Sequence, residues 1–466
     1  MGFGLLGGSD MWGAQKKEKT MDMTEGGIVG KVIAFSLPLL VGNLFQQMYN
    51  MVDSIVVGNY EGTDALAAVG TAGMPMNVML ALFTGISAAA TILVSQYIGA
   101  GDQKTIRDIV RTAHSFLMIC SIPILIIGMI AGRGILLGMH VPEEVIDDAH
   151  AYLRIIFLGT TASLGYNLNA GVLRGMGNSR APLISLILSS IVNIVLDLVF
   201  VIVLHWGVVG VAAATVIANY VSWFYSIYYI KKKYPQLELK VLSLHMEKKW
   251  IAKMLTLGLP LGFNNAVYSL GHLLLRGIVN SHGAVFMAGA TASNKLDTLV
   301  YLVLEAFAVA ATTYAGQNAG AGRMDRLDRG VKVLLIINVS INIAVCALLT
   351  IFGRQCLAIF NQEPEVIEAG YIFILWNMPF YWLYTAFHTL NCFLNGVGEV
   401  KLPTAACLIM FWLFRLPLAY FLSTTLGKDW LYMCYPISWL LGLSITGIYF
   451  LRGKWRKKVK QTISEG

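Results

Sequence analysis

Charged residues are scarce in this sequence. Asp, Glu, Lys and Arg make up 13% of the 466 residues, whereas soluble domains carry about 25%. Hydrophobic residues make up 56% of the chain. This balance excludes a soluble globular chain and predicts a protein that crosses a membrane many times.

Motifs for metal binding and covalent catalysis are also missing. The six cysteines lie in or beside apolar segments and show no CxxC or Cys/His spacing, so we interpret them as small buried residues. The glycine motifs GMG (175–177) and GVG (396–398) follow no predicted strand and are not phosphate loops. No nucleophile is paired with a base. The sequence therefore predicts no catalytic residue and no enzyme activity.

The net charge of +8 would suit a nucleic-acid partner, but the positions of the basic residues favour a membrane instead. If the N-terminus and every even-numbered loop are assigned to one side, 27 of the 34 Lys and Arg residues lie there. Cytoplasmic loops carry such an excess. We therefore expect no nucleic acid as a partner, both termini in the cytoplasm and an even number of spans.

Long apolar runs separated by short polar ones predict twelve membrane spans. Their approximate limits are 32–58, 65–98, 106–132, 146–172, 182–205, 208–230, 252–280, 285–318, 330–353, 366–394, 402–425 and 430–451. The predicted fold class is an all-α membrane protein in which twelve transmembrane helices form two six-helix repeats around a central cavity.

The repeat is visible in the sequence as motifs that recur at one constant spacing. SQYIGAGDQKTIRD (95–108) recurs as GQNAGAGRMDRLDR (316–329), and VLRGMGNSRAP (172–182) recurs with the same offset as FLNGVGEVKLP (393–403). Because each copy holds six spans, both copies start on the same side of the membrane, and we expect a cavity between them.

The repeat divides the chain into two lobes and three other segments. These are a polar N-terminal tail (1–27), an N-terminal six-helix lobe (28–230), a cytoplasmic linker (231–251), a C-terminal six-helix lobe (252–451) and a basic cytoplasmic tail (452–466).

The first span carries a polar face. Asn43, Gln46, Asn50 and Asp53 follow each other at steps of three or four residues, so they share one side of a helix. A charge at membrane depth is costly and usually faces a water-filled cavity or a partner. Burial among apolar helices also favours the protonated form of a carboxyl group. Asp53 is therefore the first candidate for binding a coupling cation.

A second polar face lies in the fifth span, where Asn193 and Asp197 are one helical turn apart. We expect it to form the other wall of the cavity that Asp53 faces. An alternative remains for both acids, which could satisfy a partner in a helix-packing seam. The second lobe has Leu274 or Leu275 at the position that matches Asp53, so we predict cation chemistry in the first lobe.

Three further residues have two interpretations each. Glu305 in the eighth span is either a substrate-binding acid or a group that neutralises Arg276 or Lys295. Pro38 and Pro260 occupy matching positions in spans 1 and 7. Because proline removes a backbone hydrogen bond and kinks a helix, they are either hinges or static bends.

In their order and spacing these motifs resemble those of the multidrug and toxic compound extrusion (MATE) transporters, over about residues 30–455. The resemblance is carried by LPLL…Q…VDSIVVG in span 1, QYIGAG after span 2, LRGMGNSRAP after span 4, N-x-x-x-D in span 5 and QNAGAG in the second lobe. It implies the multidrug/oligosaccharidyl-lipid/polysaccharide exporter superfamily. It also implies an antiporter that rocks between inward- and outward-facing states and exports organic cations against inflowing H⁺ or Na⁺.

The resemblance further implies roles for single residues. Asp53 would be the coupling carboxylate and Gln46 part of its network, with Asn193 and Asp197 as the matching pair of span 5. A Na⁺ ion, if it is the coupling ion, would be held by Asp53, Asn193 and Asp197. Matches by spacing add three polar groups to the cavity, namely Tyr152, Asn169 and Thr215.

One position departs from the family pattern. Some relatives carry an aspartate midway along span 10, where this chain has Tyr384. A Na⁺ site of that kind is therefore not expected in the second lobe.

These observations predict a cation-coupled antiporter of the bacterial inner membrane that exports organic cationic or amphipathic compounds by alternating access. We expect these small molecules and membrane lipid as its partners, H⁺ or Na⁺ as its coupling ion, no cofactor, and a monomer.

Two alternatives remain open. A lipid-linked oligosaccharide flippase of the same superfamily would need a more basic cavity to hold a pyrophosphate. A membrane receptor or scaffold would show no solute-dependent proton flux.

Overall fold

The structure, a computed structural model, describes residues 20–139, 141–240 and 245–465. Outside this description are the side chains of residues 63, 64, 66, 74, 75, 77–79, 82 and 461–465. Parts of three predicted segments also lie outside the described residues, namely 1–19 of the N-terminal tail, 241–244 of the linker and residue 466 of the C-terminal tail.

Twelve long helices make up the described part of the chain, six in each half. The first half contains α1 (Ile28–Tyr60), α2 (Gly62–Ala100), α3 (Gln103–Gly138), α4 (Glu143–Gly175), α5 (Arg180–Val203) and α6 (Gly207–Lys233). The second half contains α7 (Lys248–Asn280), α8 (Ala284–Gly320), α9 (Met324–Ala358), α10 (364–396), α11 (Lys401–Thr425) and α12 (Lys428–Leu451). A short helix, α13 (Trp455–Glu465), follows.

Four of these helices change their winding along their length, and in α12 the first turns, Lys428–Met433, are 3₁₀-helical. The last turns of α5 (Leu198–Val203) and the middle of α11 (Ile409–Arg415) are π-helical, and α10 is interrupted by a 3₁₀ turn at Met378–Phe380. The π-helical turns of α5 begin directly after Asp197. Such local changes of winding are frequent at functional sites.

The predicted fold class is confirmed in its all-α character and its two sets of six helices, and the described residues contain no strand. Nine helical segments of the described chain are long and apolar enough to cross a membrane. Large apolar side chains point outward at matching positions of the two halves, as with Ile130 on α3 and Ile351 on α9. Such apolar side chains are suited to contact with lipid. A helix can be exposed to lipid because its backbone N–H and C=O groups are hydrogen-bonded within the helix.

Ion pairs repeat in the two halves at the spacing seen in the sequence. Arg133 Nη2 lies 3.2 Å from Asp147 Oδ1 and joins α3 to α4. Arg354 Nε lies 2.6 Å from Glu368 Oε1 and joins α9 to α10. The arginines and the acids of the two pairs occupy equivalent positions of the repeat, so the structure preserves the repeat at the level of single contacts.

One end of the bundle, which we call the basic face, gathers the start of α1, the even-numbered loops and α13. Arg107 and Arg111 at the start of α3 both bind Glu238, which follows α6. Arg456 of α13 binds Asp328 at the start of α9. The other end, with Arg133 and Arg354, is called the opposite face.

The glycine motifs after α2 and α8 are helix ends. Gly101 and Gly322 have φ angles of 76° and 68°, a left-handed conformation that other residues rarely adopt. Asp102 then caps α3, since its side chain accepts a hydrogen bond from the Thr105 backbone N–H at 3.0 Å. Hydrogen bonds from the side chain and backbone of Thr105 lower the pKa of Asp102.

The two halves meet where α2 crosses α8 near the basic face. Each helix presents small residues four positions apart, Ser95 and Gly99 on α2 and Gly316 and Gly320 on α8. A Cβ atom added to Gly99 would collide with the carbonyl oxygen of Gln317 on the other helix. Backbones can come this close only where side chains are absent or small.

Two glutamines reinforce this crossing with reciprocal hydrogen bonds, which we call the amide clasps. The side-chain amide of Gln96 on α2 donates to the carbonyl oxygen of Gly396 on α10 at 2.9 Å. The side-chain amide of Gln317 on α8 donates to the carbonyl oxygen of Gly175 on α4 at 3.2 Å. The two donors are equivalent in the repeat and so are the two acceptors, so each half holds the other with the same contact.

The described end of the N-terminal tail crosses both halves at the basic face. The backbone N–H of Met21 donates to Gly177 O at 3.2 Å, and that of Met23 donates to Gln317 Oε1 at 2.8 Å. Met23 is fully buried, and Arg326 donates to its carbonyl oxygen at 3.0 Å. Residues 20–27 are therefore a strap that ties the first half to the second.

Replacement of Gly99 by leucine tests the α2–α8 crossing. We expect a loss of about 1–3 kcal/mol or more in stability, because a side chain would have to push two backbones apart. Thermal unfolding and gel-filtration profiles of the purified protein measure the effect. Gly70→Leu, also on α2, is the matched control because no atom lies within 4 Å of a Cβ added there. Equal stability of the two variants would contradict the crossing.

Candidate functional site

Asp53 and Asp197 lie together in the first half, near the opposite face. Val56 and Val57 of α1 pack with Val201 of α5 in one buried cluster, which also includes residues from the start of α6. Each valine lies about one turn beyond one of the acids. This packing aligns the two polar faces, so the structure brings together the two acids that the sequence singled out.

The two carboxyl groups lie within hydrogen-bonding reach of each other. Neither Asp53 Oδ1 nor the two oxygens of Asp197 has a donor among the described groups. These observations agree if the pair holds a proton, because two carboxylates are both acceptors and one must carry hydrogen to form the bond. Two ionised groups this close would repel each other strongly.

Further buried polar atoms of α5 and α6 also lack partners. Asn193 is one turn from Asp197 on the same face of α5, and both residues are buried. Neither side-chain atom of Asn193 has a hydrogen-bond partner among the described residues, and the same is true of Thr215 Oγ1 on α6. Because buried polar groups are normally paired, these orphaned atoms suit a ligand. An all-oxygen donor set fits a proton or a small hard cation such as Na⁺.

Two tyrosines accompany the acids. Tyr152 of α4 is close enough to Asp53 and Asp197 to interact with them electrostatically. Tyr49 lies one turn before Asp53 and is hydrogen-bonded to Gln46. Tyr152 was predicted from the resemblance, whereas Tyr49 was missed. Its position four residues before Asp53, on the same helix face, was the available signal.

The other members of the polar face on α1 are more open. Gln46 and Asn50 are exposed and Asn43 is half-buried, as is Asp53 itself. The polar face thus runs from an open surface to the acid pair. The structure is consistent with a polar path to Asp53, and a cavity role for Asn43, Gln46 and Asn50 stays a prediction.

Asn169 is not brought to the acid pair. It is fully buried, its Oδ1 lies 2.6 Å from Nε2 of His114 on α3, and its Nδ2 donates to Ser226 Oγ of α6 at 2.8 Å. These bonds lock three helices together at the basic end of the first half. The structure therefore favours a packing role for Asn169 over a place in the cavity.

Glu305 has a partner that the sequence did not predict. His388 Nε2 of α10 lies 2.8 Å from Glu305 Oε2. The two basic partners considered from the sequence are not its ion-pair partners among the described residues. Lys295 is exposed with its Nζ 5.3 Å from the centre of the Phe360 ring, and Arg276 is exposed on α7. No spacing rule pairs residues this far apart in the chain, so only the fold could reveal this contact.

The two prolines lie inside unbroken helices. Pro38 is in α1 and Pro260 is in α7, and α-helix continues on both sides of each. Pro260 lies between Gly258 and Gly262, the two residues on which Gly85 of α2 packs. A hinge at either proline stays a prediction.

The chain has clear relatives among known proteins. A family model described as MatE matches it twice, over residues 38–199 and 260–421. The probable multidrug resistance protein YpnP of Bacillus subtilis (strain 168) is 27% identical over 440 residues, which cover 94% of this chain and 98% of YpnP. The probable multidrug resistance protein YoeA of the same strain is 29% identical over 434 residues, which cover 91% of this chain and 93% of YoeA.

A solved structure has the same fold. It is a MOP superfamily transporter from Pyrococcus furiosus, with a TM-score of 0.87 and 21% identity, and the match covers 96% of this chain and 99% of that chain. Together with the two matching halves and the buried acids, these findings define a multi-pass membrane transporter and not an enzyme. The chain belongs to the MATE family.

Replacement of Asp53 by asparagine tests the shared proton. In the wild type, proton binding stabilises the pair, so stability should be greatest at acidic pH and fall as the pH rises. An asparagine amide can donate to Asp197 without a proton, so the variant should lose less stability. We expect the unfolding temperature of the wild type to fall between pH 6 and pH 9 by at least about 2–4 °C more than that of the variant.

Asp102→Asn, on the basic face, is the control, because asparagine also caps helices and the position is remote from the acid pair. Parallel pH profiles of the wild type and Asp53→Asn would exclude a shared proton.

Proposed function

We propose that this protein is a cation-coupled antiporter that exports organic cationic or amphipathic compounds by alternating access. The observation that carries the proposal is the carboxyl pair Asp53–Asp197 inside a membrane transporter, with unpaired side-chain atoms on the acids themselves and on Asn193 of the same helix face. The names of YpnP and YoeA, probable multidrug resistance proteins, support the substrate class.

Exchange at this pair follows from charge. With a proton or Na⁺ bound, the pair carries less negative charge and holds an organic cation poorly. When the coupling ion leaves, the pair regains negative charge that a substrate cation can neutralise. Because a charge is costly at membrane depth, one cation must replace the other, which is the basis of antiport.

The basic face is proposed to be the cytoplasmic face, with both termini on it. The positive-inside rule supports this orientation. The transporter would lie in the inner membrane as a monomer, in contact with lipid through its apolar outer surface.

The contacts between the halves support alternating access. The α2–α8 crossing, the amide clasps and the N-terminal strap all lie at or near the basic face. With that end held closed, substrate would exchange at the opposite face. An inward-open state requires the halves to separate where these contacts now join them. The two hydrogen bonds of the amide clasps are weak enough to break, because each contributes about 0.5–1.5 kcal/mol.

The flippase alternative is disfavoured by where the basic residues lie. A pyrophosphate needs several cationic groups directed at one cavity. Arg154, Arg276 and Lys295 are exposed instead. Arg415 is fully buried, and its guanidinium group lies among the rings of Phe411, Tyr435 and Trp439. These four residues do not converge.

Efflux by Asp53→Asn tests the proposed function. In proteoliposomes loaded with a fluorescent organic cation, an imposed pH or Na⁺ gradient should drive efflux by the wild type. The rate of efflux by the variant should be at least about tenfold lower, because its pair no longer exchanges a cation.

Separate pH and Na⁺ gradients identify the coupling ion. Asp102→Asn, remote from the pair, should keep the wild-type rate. Unchanged gradient-driven efflux by Asp53→Asn would contradict the assignment, and a wild type that moves no cation under either gradient would exclude the function itself.

The paired substitution Gln96→Ala with Gln317→Ala tests the amide clasps. Loss of both hydrogen bonds should shift the population toward a state open at the basic face, by about tenfold if each contributes roughly 0.7 kcal/mol. Distances between spin labels at residues 104 and 325, which are equivalent in the two halves, report this opening. Gln103→Ala, an exposed glutamine on the same face, is the control. An unchanged distance distribution would show that the clasps do not hold the halves closed.

A further inference from the structure

We propose that Glu305 and His388 form a second, independent exchange site in the second half, where a proton on His388 and the positive group of an organic cation compete for Glu305. This inference rests on the proposed export of organic cations. It goes beyond the acid pair of the first half, because it assigns substrate exchange to an acid–base pair that the family pattern of the sequence did not include.

The pair is close and accessible. His388 Nε2 lies 2.8 Å from Glu305 Oε2, and the side chains are 21% and 31% exposed. Both members therefore keep some surface that a solute can reach. Glu305 lies near the middle of α8, far from both membrane faces. A titratable pair at this depth is a candidate for function.

The groups around the pair come from several helices of both halves. From the second half, Tyr301 of α8 is hydrogen-bonded to Glu305, Tyr384 stacks on His388 with ring centres 5.7 Å apart, and Cys392 Sγ lies 3.8 Å from His388 Nε2. Electrostatic partners further away include Tyr268 of α7, which acts on Tyr301, Cys407 of α11, which interacts with His388, and, from the first half, Arg174 of α4, which interacts with Glu305. Because Arg174 belongs to the other half, a charge of the first half acts on this pair of the second half.

Among these groups Glu305 is the only carboxylate. Asp297 lies eight residues earlier on α8, about 12 Å away along the helix axis. Among the described residues, the ion-pair partner of Glu305 is His388 and not Arg174. The charge state of His388 therefore decides whether Glu305 is neutralised. A doubly protonated ring satisfies the carboxylate as an ion pair, and a neutral ring leaves its negative charge available to another cation.

The surroundings also suit an organic cation. The rings of Tyr301 and Tyr384 lie with their centres 6.2 Å and 5.7 Å from that of His388, and aromatic faces attract cations by about 0.5–2 kcal/mol each. A carboxylate next to aromatic side chains can bind a charged amine or a quaternary ammonium group without requiring one exact ligand shape. This chemistry suits a transporter that accepts varied cations.

The repeat shows that this site is not a copy of the acid pair. The positions equivalent to Glu305 and His388 in the first half are Thr84 and Asn167, which carry no charge. The position equivalent to Asp53 in the second half is Leu274 or Leu275. Each half thus has one ionisable pair at a place where the other half is neutral. Two unlike sites in unlike places can bind cations independently.

Binding experiments on purified protein in detergent test the proposal without any transport. Ethidium, a permanently charged organic cation, is the probe, its fluorescence reports binding, and a pH indicator reports protons released. Asp53→Asn is introduced first, so that the acid pair no longer exchanges protons. In this background ethidium binding should still release about one proton, and its affinity should rise by up to about tenfold per pH unit as His388 loses its proton.

Two further substitutions in the same background should act in opposite directions. Glu305→Gln removes the negative charge and should weaken ethidium binding at least tenfold at every pH, with no proton release. His388→Gln keeps a neutral donor but cannot take up the second proton, so it should bind ethidium tightly even at acidic pH. A merely structural pair would lose affinity in both variants. His282→Gln, near the opposite face, is the control histidine and should keep the pH dependence.

The outcomes separate this inference from the proposed function. Weakened binding in both Glu305→Gln and His388→Gln, or binding without proton release in the Asp53→Asn background, would overturn the second site. Gradient-driven efflux that is unchanged in Asp53→Asn proteoliposomes but is lost when Glu305→Gln is added would instead overturn the role of Asp53 and leave the second site standing.

Discussion

The arrangement of the two halves depends on the close packing of α2 against α8, and also against α7. Between helices in a membrane there is no hydrophobic effect to drive association, so packing and hydrogen bonds must hold them. Here glycines allow backbone contact, and the amide clasps add two equivalent hydrogen bonds across the same place. Because the contacts are small and lie toward one face, they can hold the halves in register and still separate.

The scaffold follows the symmetry of the repeat, and the ionisable pairs proposed to bind cations depart from it. Ion pairs, helix ends and clasps recur at equivalent positions of the two halves, and all of them connect helices. The ionisable groups at membrane depth do not recur. The first half has two acids that lie together on α1 and α5, and the second half has an acid–base pair on α8 and α10. In a contact with only a structural role, removal of a charged group would only loosen the packing. The two pairs described here instead retain polar atoms that are unpaired or exposed.

Sequence reasoning succeeded where the signal is local. Helix positions follow from apolar runs, and the shared face of Asn193 and Asp197 follows from the helical period. The predictions from the sequence were incomplete where contacts join residues that are far apart in the chain. The partner of Glu305 is a histidine two helices further along the chain, and Asn169 binds His114 and Ser226 on two other helices. The identity of such partners depends on how each helix is rotated relative to its neighbours. The hydrophobic pattern determines which face of a helix is buried, but not which atoms meet across the contact.

The sequence by itself determined the class of fold, the count of helices, the two-fold repeat and the two candidate acids of the first half. These follow from two strong constraints, the exclusion of water from the bilayer and the helical period. Only the tertiary structure decided that Asp53 and Asp197 face each other, that Tyr49 joins them and that Glu305 is paired with His388. Packing sets these contacts through side-chain shape across helices, and shape complementarity between distant segments leaves no periodic trace in a single sequence.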